Sequence, residues 1–374
     1  MIKRLYFHNF RCLENFELPA IGQSSALLIG RNGVGKSSIA IGLELLQNIA
    51  RGTNRVRELI SPRDFSHGRT NLPVRLHIEV ELDRQLFTYE LAFELPDGFR
   101  EIRVAEERLT CEGIQIYSRD RAQVTLARGG GNAGTTNEAK FLVDWHLVAL
   151  PLIQEQSNDD PLKVFRTWLA QMIIIAPVPC MIDGDSKGEN RHPNRMVTNL
   201  GEWFTGLLAH SPAAYSKIDG YMRSVMEDFE DIQNPGIGLE SRQLMVQFRL
   251  NHTSTSFPFG QLSDGEKCFF IAATVLASNA TYGPLFCFWD EPDNYLSLSE
   301  VGHFVMELRR VFQKTGGQIL VTSHNPEAIR QFSDENTWIL FRNSHLEPTQ
   351  IRRIADLNVQ GDLVNALIGD TVAP

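Results

Sequence analysis

Cysteine is scarce in this sequence: Cys12, Cys111, Cys180, Cys268 and Cys287 are odd in number and widely spaced. No Cys-x-x-Cys pair occurs, which excludes zinc or redox chemistry of that type, and the five read as buried free thiols. Long apolar runs are missing too. None approaches the roughly 20 residues that span a bilayer, and the opening Met1-Ile2-Lys3-Arg4-Leu5-Tyr6 lacks the apolar core of a signal peptide, so no membrane role and a cytoplasmic location are expected. Positive charge is short as well. Lysine and arginine number 36 against 45 acidic residues, a net charge of −9, which argues against a generally basic nucleic-acid binder without excluding a local basic stripe. What remains is 374 residues with 43% hydrophobic content, enough for a large core in two lobes.

The periodicity of the chain divides it in three. Residues 1–137 open with strands at Ile2 to Phe7 and Leu13 to Leu18, then an apolar run Ala26-Leu27-Leu28-Ile29, then a helix from Lys36 to about Asn48. Alternation from Val74 to Leu82 and Phe87 to Phe93 predicts an antiparallel hairpin, with more strands from Arg103 to Tyr117. Residues 138–241 turn helical, with apolar faces in Phe141 to Leu152, Leu162 to Ile175 and Leu200 to Leu208, and without a sustained heptad repeat. Residues 242–374 alternate helices with apolar strands from Ser263 onward, which implies a mostly parallel sheet. The expected fold class is therefore α/β, with a mixed or parallel core sheet, an antiparallel β lobe and a helical middle segment.

Gly30-Arg31-Asn32-Gly33-Val34-Gly35-Lys36-Ser37 fits G-x-x-x-x-G-K-[ST] after a strand and before a helix. Backbone N–H groups from Asn32 through Gly33, Val34, Gly35, Lys36 and Ser37 to Ser38 would cradle phosphates, Lys36 would sit between β- and γ-phosphates, and the Ser37 hydroxyl would bind Mg²⁺. Leu285 to Trp289 is an apolar strand ending in Asp290-Glu291. Strand ends of such sheets bind ligands. Asp290 would hold Mg²⁺ and Glu291 would act as general base, while Trp289 reads as core. A third strand, Gln318 to Thr322, ends in Ser323-His324, and His324 could reach the γ-phosphate. Between these motifs, Leu262-Ser263-Asp264-Gly265-Glu266-Lys267 contains a capping box, Ser263 with Glu266. The helix it starts would aim free N–H groups, with Gly265 beside them, at a phosphate. Since the phosphate loop has its own helix, that phosphate is expected on another copy of the protein.

These residues in this order resemble the ABC-type ATPases of the SMC, RecF and OLD-like group, and Phe7-His8-Asn9-Phe10-Arg11 resembles that group's first strands. The resemblance implies a P-loop NTPase head with ATP and Mg²⁺ as cofactors and Leu262 to Lys267 as the signature. It also implies Pro292 to Ser297 as the D-loop, catalytic roles for Lys36, Glu291 and His324, and a homodimer that sandwiches two ATPs. Asp264 departs from the usual second glycine of the signature, and Ser297 from the usual D-loop acid. Gln154 and Gln156 match the Q-loop by residue type only. Short OLD-like relatives imply a regulator of a separate nuclease or toxin in anti-phage defence. The alternative is a RecF-like ATPase that clamps DNA in repair; a membrane transporter engine is disfavoured by the long interval between phosphate loop and signature.

Other features read as bland. Gly129 to Gly134 contains a G-x-G-x-x-G match without a βαβ unit and reads as a loop. Asp183, Asp185, Glu189 and His192 read as a solvated loop rather than a metal site, Glu227 to Asp231 as a solvated helix end, and Arg11, Arg51, Arg55, Arg57 and Arg63 as solvated side chains rather than a DNA or partner surface.

Overall fold

Short apolar strands ending in polar loops frame this computed structural model, which describes residues 1–18, 23–129, 136–238 and 240–357. The chain enters through β1 (Ile2–His8), β2 (Phe16–Leu18) and β3 (Ser25–Ile29), then α1 (Lys36–Ala50) and the single turn α2 (Val56–Leu59). Six strands follow: β4 (Val74–Leu82), β5 (Gln85–Glu94), β6 (Arg103–Cys111), β7 (Ile114–Asp120), β8 (Gln123–Gly129) and β9 (Thr136–Leu142). Helix α3 (Pro161–Gln171) leads to β10 (Ile173–Ile175), and β11 (Asp185–Ser186) precedes α4 (Leu200–His210) and α5 (Ala214–Val225). The short strands β12 (Phe229–Gln233), β13 (Gly236–Ile237), β14 (Ser241–Gln243), β15 (Met245–Leu250) and β16 (Thr253–Pro258) come next. The chain then alternates through α6 (Asp264–Tyr282), β17 (Phe286–Asp290), α7 (Leu298–Thr315), β18 (Gln318–Thr322), α8 (Pro326–Arg330), β19 (Thr337–Phe341) and β20 (Gln350–Arg353).

The core sheet runs β10-β17-β18-β3-β19-β20, parallel except for β20. Its parallel strands are buried on both faces, as parallel strands covered by helices must be, whereas the antiparallel edge strand β20 is partly exposed. Period two sorts their side chains. Leu28, Phe286, Phe288 and Leu320 join a core with α1, α3 and the β lobe, whereas Leu27, Ile29, Cys287, Trp289, Ile319 and Val321 join one with α4 to α7. Helix α7 buries Val301, Phe304, Val305, Leu308 and Phe312 on that second side, each worth about 1.5–3 kcal/mol of transfer free energy. Trp289 is fully buried edge-on to Phe304, the core role expected of it.

The antiparallel lobe is one eight-stranded sheet, β2-β1-β4-β5-β6-β7-β8-β9. The alternation in Val74–Leu82 has its expected meaning: inward positions are buried and the others half-buried, and Val80 pairs with Phe87 across the hairpin.

Three sequence expectations need correcting. Phe141 to Leu152 is not helical. It is the end of β9 and a run of turns, because its apolar Val148, Ala149 and Leu150 are buried by tertiary contacts, not along one helix face. The fully buried Glu107 carboxylate accepts the Ala149 and Leu150 N–H groups at 2.8 and 2.9 Å and the Tyr89 and Tyr117 hydroxyls at 3.0 and 2.8 Å. Arg119, buried beside it, donates to the Leu147 and Asp144 carbonyls. Buried ions are stable only when satisfied in this way. The Leu162 to Ile175 run is split: α3 stops at Gln171, and Ile173–Ile175 pairs in parallel with Cys287 to Trp289 as the sheet's edge. Glu227 to Asp231 is no helix end either, since Phe229–Gln233 is a strand and Asp231 accepts the Tyr215 hydroxyl. Residues 130–134 of the glycine-rich run, and the chain after 357, lie outside the described residues.

Candidate functional site

Strand order decides which loops meet. Because β18 lies between β17 and β3 and all three are parallel, the loops after Ile29, Asp290 and Thr322 leave the sheet side by side at its carboxyl edge, where ligands bind in such sheets. The phosphate loop needs its glycines there. Gly30 has φ 147°, and a Cβ on it would lie 2.3 Å from the Leu340 carbonyl oxygen; Gly35, at φ 110°, precedes the first turn of α1 and has Cys12 Sγ and Thr349 Oγ1 within 3 Å of any Cβ. Only glycine fits both demands.

The loop delivers Lys36 almost fully buried. Its Nζ donates to the Gly30 carbonyl at 2.6 Å and to His324 Nε2 at 2.7 Å. Burial holds the Lys36 ammonium below the usual lysine range, with Glu291 and then Asp290 pulling it back up. Burial and then the Lys36 charge push the His324 imidazole below its ordinary value. A neutral Nε2 that accepts from Lys36 cannot also donate, so the 3.4 Å approach of Glu291 Oε1 to that atom is a close contact without a shared proton.

The two carboxylates are held differently. Asp290 Oδ2 accepts the Ser37 hydroxyl at 3.2 Å and Oδ1 accepts the Thr322 hydroxyl at 2.6 Å; Thr322 Oγ1 in turn accepts the Glu291 N–H at 3.0 Å. Glu291 has φ 51°, a left-handed conformation costly for a residue with a side chain and characteristic of functional sites. Its Oε2 accepts from Asn294 Nδ2 at 2.6 Å. Thus Lys36, Ser37, Asp290, Glu291 and His324, named from sequence, stand together, whereas Thr322 was missed and Asn294 was placed in the expected D-loop without a role of its own. Thr322 carried one signal, a hydroxyl closing an apolar strand next to Ser323-His324.

In the phosphate loop the Ser38 N–H donates to the Gly35 carbonyl at 3.0 Å, and the Ser38 hydroxyl lies 3.4 Å from Cys12 Sγ. Asn32 and Gly33 are exposed at the loop tip and Val34 is buried beneath it. The hairpin between β19 and β20 backs the loop, with the Thr349 hydroxyl donating to the Val34 carbonyl at 2.6 Å. It also brings His345 Nε2 to 3.9 Å from where a Cβ on Gly33 would stand. No periodicity foretold that contact.

Ser263, Gly265 and Glu266 start α6 apart from this group. Glu266 Oε2 accepts from the Ser263 N–H and hydroxyl, both at 2.7 Å, and the Glu266 N–H returns to Ser263 Oγ at 3.3 Å. Gly265 packs on the Tyr295 carbonyl, whose oxygen lies 3.0 Å from where a Cβ on the glycine would stand, so the start of α6 and the loop after Glu291 form one surface. Ser297, noted for replacing an acid, caps α7 through a second box with Glu300. Gln154 and Gln156 line a cleft of about 450 Å³ with Cys111 and Ile114 on the β lobe. Among the described residues no three acidic, histidine or cysteine side chains are placed to hold a metal ion, the 183–192 loop included.

Comparison with known proteins decides the family of fold. Residues 214–330, from α5 to α8, match the family described as "AAA domain, putative AbiEii toxin, Type IV TA system". The head of an SMC protein solved bound to the C-terminal winged-helix domain of ScpA superposes with a TM-score of 0.56 at 14% identity, covering 95% of this chain and 98% of that one. The SMC head with an extended coiled coil from Pyrococcus furiosus, bound to the C-terminal domain of ScpA, gives 0.53 at 10% identity over 99% of both. The chain therefore has the fold of an SMC head domain. An OLD nuclease of Thermus scotoductus is 29% identical over 113 residues, 30% of the head but only 18% of the nuclease's length. No helix of the head is long and apolar enough to cross a membrane, among the described residues.

One buried acid in the head carries a pH prediction. Asp293 is 2% exposed; its Oδ2 accepts the Ser323 hydroxyl at 2.9 Å and its Oδ1 has no partner. Burial pushes its carboxyl up to about 6 from 3.8. A raised acid favours the folded state only while protonated, so this group's stability is present below about pH 4 and is lost as pH climbs through about 6. Asp293→Asn is therefore expected to stabilise the head by about 3 kcal/mol at about pH 7.5 and by only about 1 kcal/mol at about pH 4.5. Urea midpoints at the two pH values check this, and a variant destabilised at the higher pH would show that the charge is wanted.

Proposed function

We propose that this head binds and hydrolyses ATP in a composite site shared by two copies, and that the closing and opening of this dimer control a separate effector. The supporting observation is the convergence of Lys36, Ser37, Asp290, Glu291 and His324 at the carboxyl edge of β3, β17 and β18. The residues fit the ligand. Gly33 and Gly35, both at positive φ, curl the loop around a phosphate-sized cradle at the start of α1. The Ser37 hydroxyl and Asp290 carboxylate, 3.2 Å apart, are the hard oxygen donors that Mg²⁺ takes. Bound there, Mg²⁺ would neutralise phosphate charge as it builds toward the transition state.

The chain's own groups supply the rest. The Lys36 ammonium exchanges the Gly30 carbonyl and His324 for phosphate oxygens. His324, released from Lys36, carries its ring proton on Nε2 and donates it to the γ-phosphate. Glu291, oriented by Asn294 and by its backbone bond to Thr322, takes the proton of the attacking water. Ser263 and the first N–H groups of α6 bind the γ-phosphate of the partner copy. Exposed Met181, Tyr295 and Leu298 gather apolar area near that surface, which is a mark of an interface. ATP closes such a dimer because only the closed state lets both surfaces grip one phosphate.

The effector reading rests on the family matches, which include an OLD nuclease and a toxin family; a nuclease or toxin acting in anti-phage defence is the proposed class of partner. Ser263→Arg tests the composite site. It is expected to keep Mg-ATP affinity within about twofold, because its own phosphate loop is intact, while weakening ATP-driven dimerisation at least about tenfold, the equivalent of about 1.4 kcal/mol. Normal dimerisation of this variant in sedimentation would remove α6 from the mechanism.

A further inference from the structure

A cavity of about 530 Å³ opens between α2, the loop joining β5 to β6, and the turn after β9. Sequence order scatters the arginines of this region, and the structure sorts them. Arg11 is paired with Asp64, and Arg51 donates to the carbonyls of Ala170 and Met172. Arg55 and Arg57 instead line the cavity, where Arg100 joins them from more than 40 residues away. None of the three makes an ion pair or side-chain hydrogen bond among the described residues. The acids of the lining are not paired with them: Asp144 and Glu101 are turned to His146, at 3.0 Å from Nδ1 and 3.6 Å from Nε2. Ile60 and Ile102, 4% and 7% exposed, floor the cavity.

Three exposed guanidiniums without an ion pair among the described residues line one apolar-floored hollow, in a chain of net charge −9. Like charges held together repel unless an anion bridges them, and the planar guanidinium fork matches phosphate in two-point hydrogen bonding. The volume lies within the range of small-molecule sites. The phosphate loop is elsewhere: α1 spans about 22 Å by its rise of about 1.5 Å per residue between Lys36 and Ala50, and Arg55 lies beyond its far end. We propose that this cavity is a second anion site of the head, taking a small ligand with two or more phosphate groups on Arg55, Arg57 and Arg100 and its apolar part on Ile60 and Ile102. The site stands independently of ATP hydrolysis.

Its test uses the full chain carrying Lys36→Ala, which disables the phosphate loop, titrated calorimetrically with inorganic tripolyphosphate and, separately, with a short duplex DNA. Tripolyphosphate is expected to bind a single site, and Arg57→Glu to weaken it at least about tenfold, as the loss and reversal of one charge-assisted contact implies. Glu101→Gln, which removes a competing negative charge, is expected to tighten it by about twofold. Tripolyphosphate binding that neither variant moves, or no binding in the Lys36→Ala chain, overturns the proposal. Binding of duplex alone, lost in Arg57→Glu, also overturns it and makes the arginines a nucleic-acid surface. Since Arg57 and Glu101 are exposed, circular dichroism melts of both variants are expected to match the parent, and the opposite signs of their effects separate binding from misfolding.

Discussion

Glu291→Gln is expected to lower ATP turnover at least about a hundredfold, the usual contribution of a positioned general base, while Mg-ATP affinity stays near wild type. The amide fills the same space and still accepts from Asn294, which lies 2.6 Å from Oε2. The backbone bond to Thr322 does not involve the side chain at all. What disappears is the capacity to take a proton. The variant also loses a negative charge beside Lys36, whose ammonium Glu291 helps keep protonated, but Asp290 remains to do the same. If the composite site is right, ATP then persists between two copies. Light scattering should read a dimer mass with Mg-ATP and a monomer mass with ADP, with duplex DNA in a parallel run. Wild-type turnover would refute the assignment of the base. A dimer that forms only with DNA would favour a DNA clamp, and a mass indifferent to nucleotide would separate hydrolysis from assembly.

The site was legible because its chemistry is encoded in short contiguous runs. A glycine-rich turn, a strand closed by two carboxylates and a strand closed by histidine each state their own local geometry, and parallel pairing then aligns their ends. The capping boxes at Ser263 and Ser297 are equally local, although Ser297 was read for the acid it replaces rather than for Glu300 three residues on. Long-range contacts were not legible. Glu107 sits in an alternating strand at an inward position, where a charge looks like an error of register; only the fold brings Tyr89, Tyr117, Arg119 and the 149–150 backbone around it. Its capture of that backbone is why Phe141 to Leu152, apolar enough for a helix, forms turns instead. Likewise Arg100 carries no motif, and His345 reaches Gly33 only through the β19–β20 hairpin. Residues whose partners are distant in sequence leave no periodicity to read.

Lys36→Ala is expected to weaken Mg-ATP binding by about a hundredfold or more, since charge-assisted hydrogen bonds are worth about 1.5–3 kcal/mol each and the ammonium can make two to a phosphate chain. The fold should not suffer in proportion. Lys36 is 7% exposed with its pKa lowered by burial. For a base lowered in this way, the folded state loses stability while the group is charged and regains it as pH rises toward the unfolded value of 10.5. Alanine removes that cost at neutral pH, and in exchange leaves the Gly30 carbonyl and His324 Nε2 without their donor. Water replaces a donor readily at His324, which is exposed. The two changes oppose each other, so a melting temperature near wild type is expected together with lost nucleotide affinity. Equilibrium dialysis with labelled ATP and a thermal melt on the same preparation make the check. Full affinity in Lys36→Ala would mean that nucleotide is gripped elsewhere, and a collapsed melt would mean that the lysine serves the fold before it serves the phosphate.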